Sequence, residues 1–317
     1  MFVRELVDGQ DIEQVLLVRE RELRSNGDGE YLRLMLGDRT GAVVALVREQ
    51  VSELVPLCEA GAPVAIAGRY AVHPRYGPEL TVRSLRPAEA QEYDLDDLLD
   101  GPPRPVRHME QALRDLIAQV QNAHLRTLLD RVLGADAPTW PAFRDAPAAK
   151  RYHQAYRHGL LEHSLSVGEA VAVISTTFPH IDRDVAITGA LLHDIGKLDA
   201  YTSDPLAIDL TDLGKLHGEI ALGYYRIRSE IEAIPDFPDE LAAAVLHIIL
   251  SHHGQLEHGS PVVPCTREAT LVHMIDNLGG KLGSFDRLEK ALPDGSAWSG
   301  YDRALGGGAY FAARQAA

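Results

Sequence analysis

Ala190-Leu191-Leu192-His193-Asp194-Ile195-Gly196-Lys197 is the stretch on which the reading of this chain turns. Apolar residues run straight into an adjacent imidazole and carboxylate, and a glycine and a lysine follow. An apolar helix that ends on two ligand-type side chains can aim both at one centre. Upstream, Leu160-Leu-Glu-His163-Ser opens a second apolar helix, and downstream Leu250-Ser-His252-His253-Gly254 ends a third. His217 and Asp276 lie on helices between and after these. Neutral imidazole suits Zn, Fe, Mn and Ni, and carboxylate suits hard divalent ions. A carboxylate can also bridge two cations, which an imidazole cannot. A lone buried histidine is more often a hydrogen-bonded core residue, so the argument rests on the joint pattern. The expected ligand set is His163, His193, Asp194, His217, His252, His253 and Asp276. That is too many for one tetrahedral ion and fits two six-coordinate ions, a pair of which ~3.5–4 Å apart can clamp a phosphate and activate a water.

Outward from this set, the C-terminal two thirds reads as helical. Leu113, Leu116, Ile117 and Val120 form one apolar stripe, and Leu125, Leu128, Leu129 and Val132 the next. Further helices are expected at 159–177, 184–194, 215–232, 238–252 and 267–282, with a flexible turn at Gly306-Gly-Gly308. The first ninety residues differ. Gln14–Glu22 is rich in β-branched and aliphatic residues, and Tyr31–Leu36 alternates. Gly37-Asp-Arg-Thr-Gly41 is a turn before a strand at Ala42–Val47, Val51–Ala60 looks helical, and Pro63–Val72 and Glu79–Leu85 complete five strands. Five strands with a helix between the third and fourth is the order of an OB-fold barrel. The expected organisation is therefore multidomain α+β: a barrel at 1–90, an acidic and proline-rich linker at 91–105, and an all-α domain at 106–317.

The net charge of −15 argues against a protein that grips nucleic acid through a broad basic surface. The charge is uneven, with −3 in residues 1–90 and −12 in the remainder, and bound cations would add positive charge where a phosphate sits. No apolar run approaches the ~20 residues of a membrane helix, and Met1–Gln10 carries Glu5 and Asp8 without an apolar leader core. Cys58 and Cys265 have no metal-type spacing. These features place the expected protein in the cytoplasm, with reduced thiols and no membrane partner.

The ordered set of His163, His193-Asp194-Ile-Gly-Lys197, His217, His252-His253 and Asp276 resembles the motif of HD-domain phosphohydrolases. That resemblance implies a helical domain with the site at its centre. His163, His193, Asp194 and Asp276 would hold a first metal, His217, His252 and His253 a second, and Asp194 would bridge. Lys197 would contact the scissile phosphate, so Asp194 and Lys197 are the expected catalytic pair. The barrel, and the segment Pro147-Ala-Ala-Lys-Arg-Tyr-His153-Gln-Ala-Tyr-Arg-His158 leading into the site, make nearly the whole chain similar to YhaM-type 3′-5′ exoribonucleases. The family implies hydrolysis of single-stranded RNA, with DNA as a further substrate. Its expected cofactor is two divalent ions, Mn²⁺ first and Fe, Ni, Zn or Mg as alternatives.

Single-strand binding by a barrel needs aromatic platforms beside basic groups. Tyr31, Arg33, Arg39, Arg69 and Tyr76 are the candidates there, with His153 and His158 before the site. Strand tyrosines are commonly packing residues, and arginines are commonly solvated surface. Two rival functions remain at this level. One is an HD phosphohydrolase of nucleotides or cyclic dinucleotides, although Gln255-Leu-Glu-His258 stands where a Gly-Tyr-Pro signature would follow His253. The other is a non-catalytic single-strand-binding protein with a degenerate site, although every expected ligand position is filled.

Overall fold

The computed structural model describes residues 1–317 except 28, 74–76, 100, 151–153, 203, 205–207, 291, 293–295 and 313–317, and describes only the backbone of Asn26, His73 and Lys290. The chain divides into two compact units, Met1–Gly101 and Pro102–Ala317.

In the first unit, β1 (Asp11–Asn26), β2 (Gly29–Asp38) and β3 (Gly41–Val47) form an antiparallel meander. A short helix α1 (Val51–Leu54) then leads to β4 (Pro63–His73) and β5 (Gly77–Pro87). The strands close in the order β1-β2-β3-β5-β4, with β1 antiparallel to β4 and β3 parallel to β5. This is the OB arrangement that the strand pattern implies. Alternation explains the inside. On β2, Leu32, Leu34 and Leu36 are buried while Tyr31, Arg33 and Met35 turn outward. Leu16, Val18, Ala45, Val64, Ile66, Leu80 and Cys58 complete the core. The turn between β2 and β3 is tied by the buried Asp38, whose Oδ1 accepts from Thr40 N–H and Oγ1–H, each at 2.7 Å. The compact unit extends past β5 to Gly101, eleven residues beyond the expected barrel limit. The reason is α2 (Leu95–Leu98), which packs on β1 and β2, buries Leu98, and places Asp97 C=O 2.9 Å from Arg39 N–H.

The second unit is built from α3 (Val106–Ala118), α4 (Ala123–Leu133), α5 (Trp140–Asp145), α6 (Gly159–Ile174), α7 (Arg183–Leu192), α8 (Lys197–Ala200), α9 (Asp212–Glu232), α10 (Asp239–Ser251) and α11 (Arg267–Lys290). The two leucine stripes become the buried faces of α3 and α4. Asn122 caps α4 through His124 and Leu125 N–H, and Asp182 caps α7 through Asp184 and Val185 N–H. Every residue of α7 from Val185 to Leu192 is buried. It is the central helix, flanked by α6, α10 and α11, which is why its sequence is apolar on all sides rather than striped. The unit ends in a hairpin that periodicity did not reveal, β6 (Trp298–Asp302) paired with β7 (Gly307–Tyr310). Among the described residues, no helix is long and apolar enough to cross a membrane.

Candidate functional site

The central helix α7 ends at Leu192, and the next two residues deliver His193 and Asp194 into the interior of the helical unit. His163 comes from the first turns of α6, His252 and His253 follow the end of α10, and Asp276 lies midway along α11. Four separate elements thus converge. His163 Nε2 stands 3.1 Å from His193 Nε2, 3.3 Å from Asp194 Oδ2 and 3.1 Å from Asp276 Oδ1. His193 Nε2 is 3.4 Å from Asp194 Oδ2. The other oxygen of the same carboxylate, Asp194 Oδ1, is 3.4 Å from His252 Nε2. Asp194 therefore faces two groups of imidazoles, one with each oxygen.

Outer hydrogen bonds set the histidine tautomers. His193 Nδ1–H donates to Ala190 C=O at 2.7 Å, His252 Nδ1–H to Ile249 C=O at 2.8 Å, and His253 Nδ1–H to His258 C=O at 2.9 Å. His163 Nδ1 meets the side-chain oxygen of Gln154 at 3.1 Å. A carbonyl can only accept, so in each neutral ring the proton sits on Nδ1 and the Nε2 lone pair faces the centre. His273 adds a brace, donating Nδ1–H to His252 C=O at 2.7 Å.

Lone pairs that face one another need a cation between them. Asp194 Oδ1 and His252 Nε2 are buried and make no hydrogen bond, a costly state unless a positive centre satisfies both. The donor set of imidazole nitrogen and carboxylate oxygen suits divalent first-row metals. His163, His193 and Asp194 place one ligand atom each within 4.8 Å of one another, and Glu219, His252 and His253 do the same. The cluster is a divalent-metal-binding arrangement.

The electrostatics are those of crowded acids held by cations. Burial, the largest single influence on His163, lowers its pKa, but Asp194 and Asp276 outweigh it and push it up to about 9. Burial raises Asp194 and Asp276, yet Lys197 and His193 hold Asp194 well below the carboxylate range, and His163 and His193 do so for Asp276. Lys197, from the start of α8, is mostly enclosed, with its side chain 11% exposed. Its Nζ lies 3.4 Å from Asp194 Oδ2 and 3.2 Å from Glu219 Oε1, which keeps it protonated against the opposing effect of burial.

One expected ligand stands apart from the others. His217 is exposed and stands outside both ligand groups. Glu219, two residues on, is in the second group, with Oε1 3.4 Å from His253 Nε2. The backbone gives the reason. Gly218 has φ 74° and ψ 153°, so α9 is broken between the two residues, and helical periodicity cannot carry a facing from one to the other. Sequence reading also missed Gln154, which orients His163. Only the short spacing to the helix carrying His163 hinted at it.

The expected nucleic-acid contacts scatter. Tyr31 and Arg33 share the outer face of β2, and across the strands Arg24 pairs in register with Tyr31 and Glu22 with Arg33. The Arg48 guanidinium lies 5.7 Å from the Tyr31 ring. This is a small basic and aromatic patch. It is partly offset by Glu22, 2.8 Å from Arg24 and 3.5 Å from Arg33. Arg39 sits at the far turn of β2, ~20 Å along the strand by its rise, over the Phe2 ring and 3.5 Å from Asp97. Arg69 is exposed on β4. His158 caps α6 in a left-handed conformation, with Nδ1 2.7 Å from Arg144 C=O and 3.4 Å from Asp145 Oδ1, so its ring is engaged with the end of α5. Tyr76 and His153 lie outside the described residues.

Comparison with known proteins agrees with this geometry. The HD domain family matches residues 160–280. The chain is 30% identical over 289 residues to the 3′-5′ exoribonuclease YhaM of Bacillus subtilis (strain 168), covering 90% of each. YhaM of Bacillus velezensis is similar to the same extent. The YhaM of Geobacillus sp. (strain WCH70) is 30% identical over 290 residues, which cover 90% of this chain and 87% of that protein.

Proposed function

Because this chain belongs to the YhaM family of HD-domain 3′-5′ exoribonucleases, we propose that it removes nucleotides from the 3′ end of single-stranded RNA at a site holding two divalent cations, Mn²⁺ foremost. The protein is a metal-dependent 3′-5′ exoribonuclease; the number of ions, their identity and the residue roles are the proposed part. DNA single strands would be a secondary substrate, and cytoplasmic RNA the setting, in keeping with two unpaired cysteines.

The observation that carries this reading is the two-sided carboxylate of Asp194. One oxygen faces His163 and His193, and the other faces His252. A single carboxylate placed in this way is suited to bridge. His163, His193, Asp194 and Asp276 would hold the first ion, and His252, His253 and the second oxygen of Asp194 the other. Bound there, divalent ions supply Lewis-acid charge to phosphoryl oxygens and lower the pKa of water at the site.

The chain's own residues do the rest. Outer carbonyls keep the four imidazoles in the liganding tautomer, so no reorganisation is needed at reaction. Lys197, largely enclosed, keeps its charge, and its Nζ would act on a non-bridging phosphate oxygen as a point charge. Tyr31, Arg33 and Arg48 on the barrel would hold the strand by stacking and phosphate contact, weakly and with salt sensitivity because of Glu22.

The test is digestion of 5′-labelled single-stranded RNA with Mn²⁺, beside nucleotides and cyclic dinucleotides. Stepwise shortening of the labelled strand from its 3′ end is expected. Immediate release of labelled mononucleotide, or turnover of only the small substrates, would overturn the proposal.

A further inference from the structure

The second ligand group contains a carboxylate where the sequence pattern placed an imidazole. The break of α9 at Gly218 turns His217 to solvent and Glu219 inward. Glu219 Oε1 lies 3.4 Å from His253 Nε2 and 3.2 Å from Lys197 Nζ. Its ligand atom lies within 4.8 Å of those of His252 and His253. Both of those rings present Nε2 lone pairs, because each Nδ1–H donates to a backbone carbonyl. Nearly buried, Glu219 is also held below the usual carboxylate range against the effect of burial, first by Lys197 and then by His253.

We propose that Glu219, and not His217, joins His252, His253 and Asp194 as the fourth protein ligand of the second divalent cation. This rests on the two-cation reading above. The second centre is then two imidazoles, one terminal carboxylate and one oxygen of Asp194. Exchanging an imidazole for a carboxylate adds a hard, anionic donor. It biases the centre toward Mn²⁺ and Mg²⁺ relative to ions that favour nitrogen. The position also sets a competition. The same Glu219 oxygen that would bind the cation holds the Lys197 ammonium, so cation binding at the second centre frees Lys197 from Glu219 for the substrate phosphate.

The experiment counts Mn²⁺ bound to the full-length protein without RNA, by electron paramagnetic resonance of free Mn²⁺ and of the spin-coupled pair. Wild type should bind two equivalents and show the coupled signal. His217→Ala should keep both. Glu219→Gln should keep the first equivalent, which also reports that the unit is folded, and weaken the second by at least ~10-fold, the scale of losing even an outer partner of a ligand. Glu219→His should recover a second ion and move its preference from Mn²⁺ toward Zn²⁺ or Ni²⁺. Two tight equivalents in Glu219→Gln, or loss of the second in His217→Ala, would overturn the assignment alone. A single equivalent in wild type would overturn the two-cation reading and this assignment with it.

Discussion

Gly196 and Gly223 face each other at the start of α8 against α9, and a side chain on Gly196 would collide with the α9 backbone. A Cβ on Gly196 would lie 2.4 Å from Gly223 N and 2.0 Å from Glu219 C=O. The glycine of the His-Asp-Ile-Gly-Lys run is thus the contact that lets the Glu219 helix approach Lys197. Gly196→Ala forces the two helices apart, an overpacking on the order of 1–3 kcal/mol. At roughly 2–4 °C per kcal/mol for a unit of this size, Tm should fall by about 2–12 °C, and Mn²⁺ binding should weaken with it. Unchanged Tm and unchanged Mn²⁺ affinity would show that the contact has slack.

Asp194→Asn keeps the side-chain shape and removes the charge shared between the two imidazole groups. Activity on RNA should fall by ~10³-fold, the upper range for removing one key electrostatic group. Turnover within a few-fold of wild type would mark Asp194 as structural.

Cation removal should destabilise the helical unit as well as inactivate it. Asp194, Asp276 and Glu219 crowd one interior, and a ligand that binds only the folded state stabilises it. At a free concentration of 100 times Kd the gain is ~2.7 kcal/mol, or about 5–11 °C in Tm. Calorimetry of chelator-treated protein with and without Mn²⁺ measures this. The idea of a cation-filled core fails if Mn²⁺ restores activity and leaves Tm in place.

The barrel and the helical unit each have a core of their own, so a chain starting at Pro102 should fold. A small diester such as bis(p-nitrophenyl) phosphate needs only the metal cluster, and its turnover should survive. A long RNA should lose at least one stacked base, worth roughly 1–3 kcal/mol, so KM should rise by about 10-fold. Added salt should then hurt the truncated form less than the full chain. If both substrates change equally, the Tyr31 and Arg33 face does not hold RNA.

Cys58 is enclosed in the barrel core, and burial pushes its thiol up to about 11. The thiolate is the reactive form, so at pH 8 Cys58 should stay unmodified while exposed Cys265 reacts. One fast thiol in native protein and two after denaturation is the expected count in a disulfide-exchange dye assay. Two fast thiols in native protein would mean that the barrel opens readily.

Much of the fold was legible because the signals are local. Alternation on Tyr31–Leu36 marks a half-buried strand wherever it lies, and the unstriped apolar run before His193 marks a fully buried helix. The six expected ligands other than His217 do converge in the interior, because His and Asp in or beside apolar helices of a core have few other partners. The C-terminal hairpin was not legible. Its short strands carry exposed aromatics and glycines in place of an alternating pattern.

By itself, the sequence determined the chemistry of this protein: imidazole and carboxylate donors in and beside core helices, a lysine beside them, and an OB-type order of strands before them. Tertiary structure alone decided which donors meet. The choice between His217 and Glu219 hangs on the conformation of Gly218, and glycine accepts φ of either sign with little preference. The folded chain holds Gly218 at a positive φ of 74°. The same holds for the closing of the barrel, where β5 lies parallel to β3. That pairing joins residues more than thirty positions apart, and only the assembled core holds it in place.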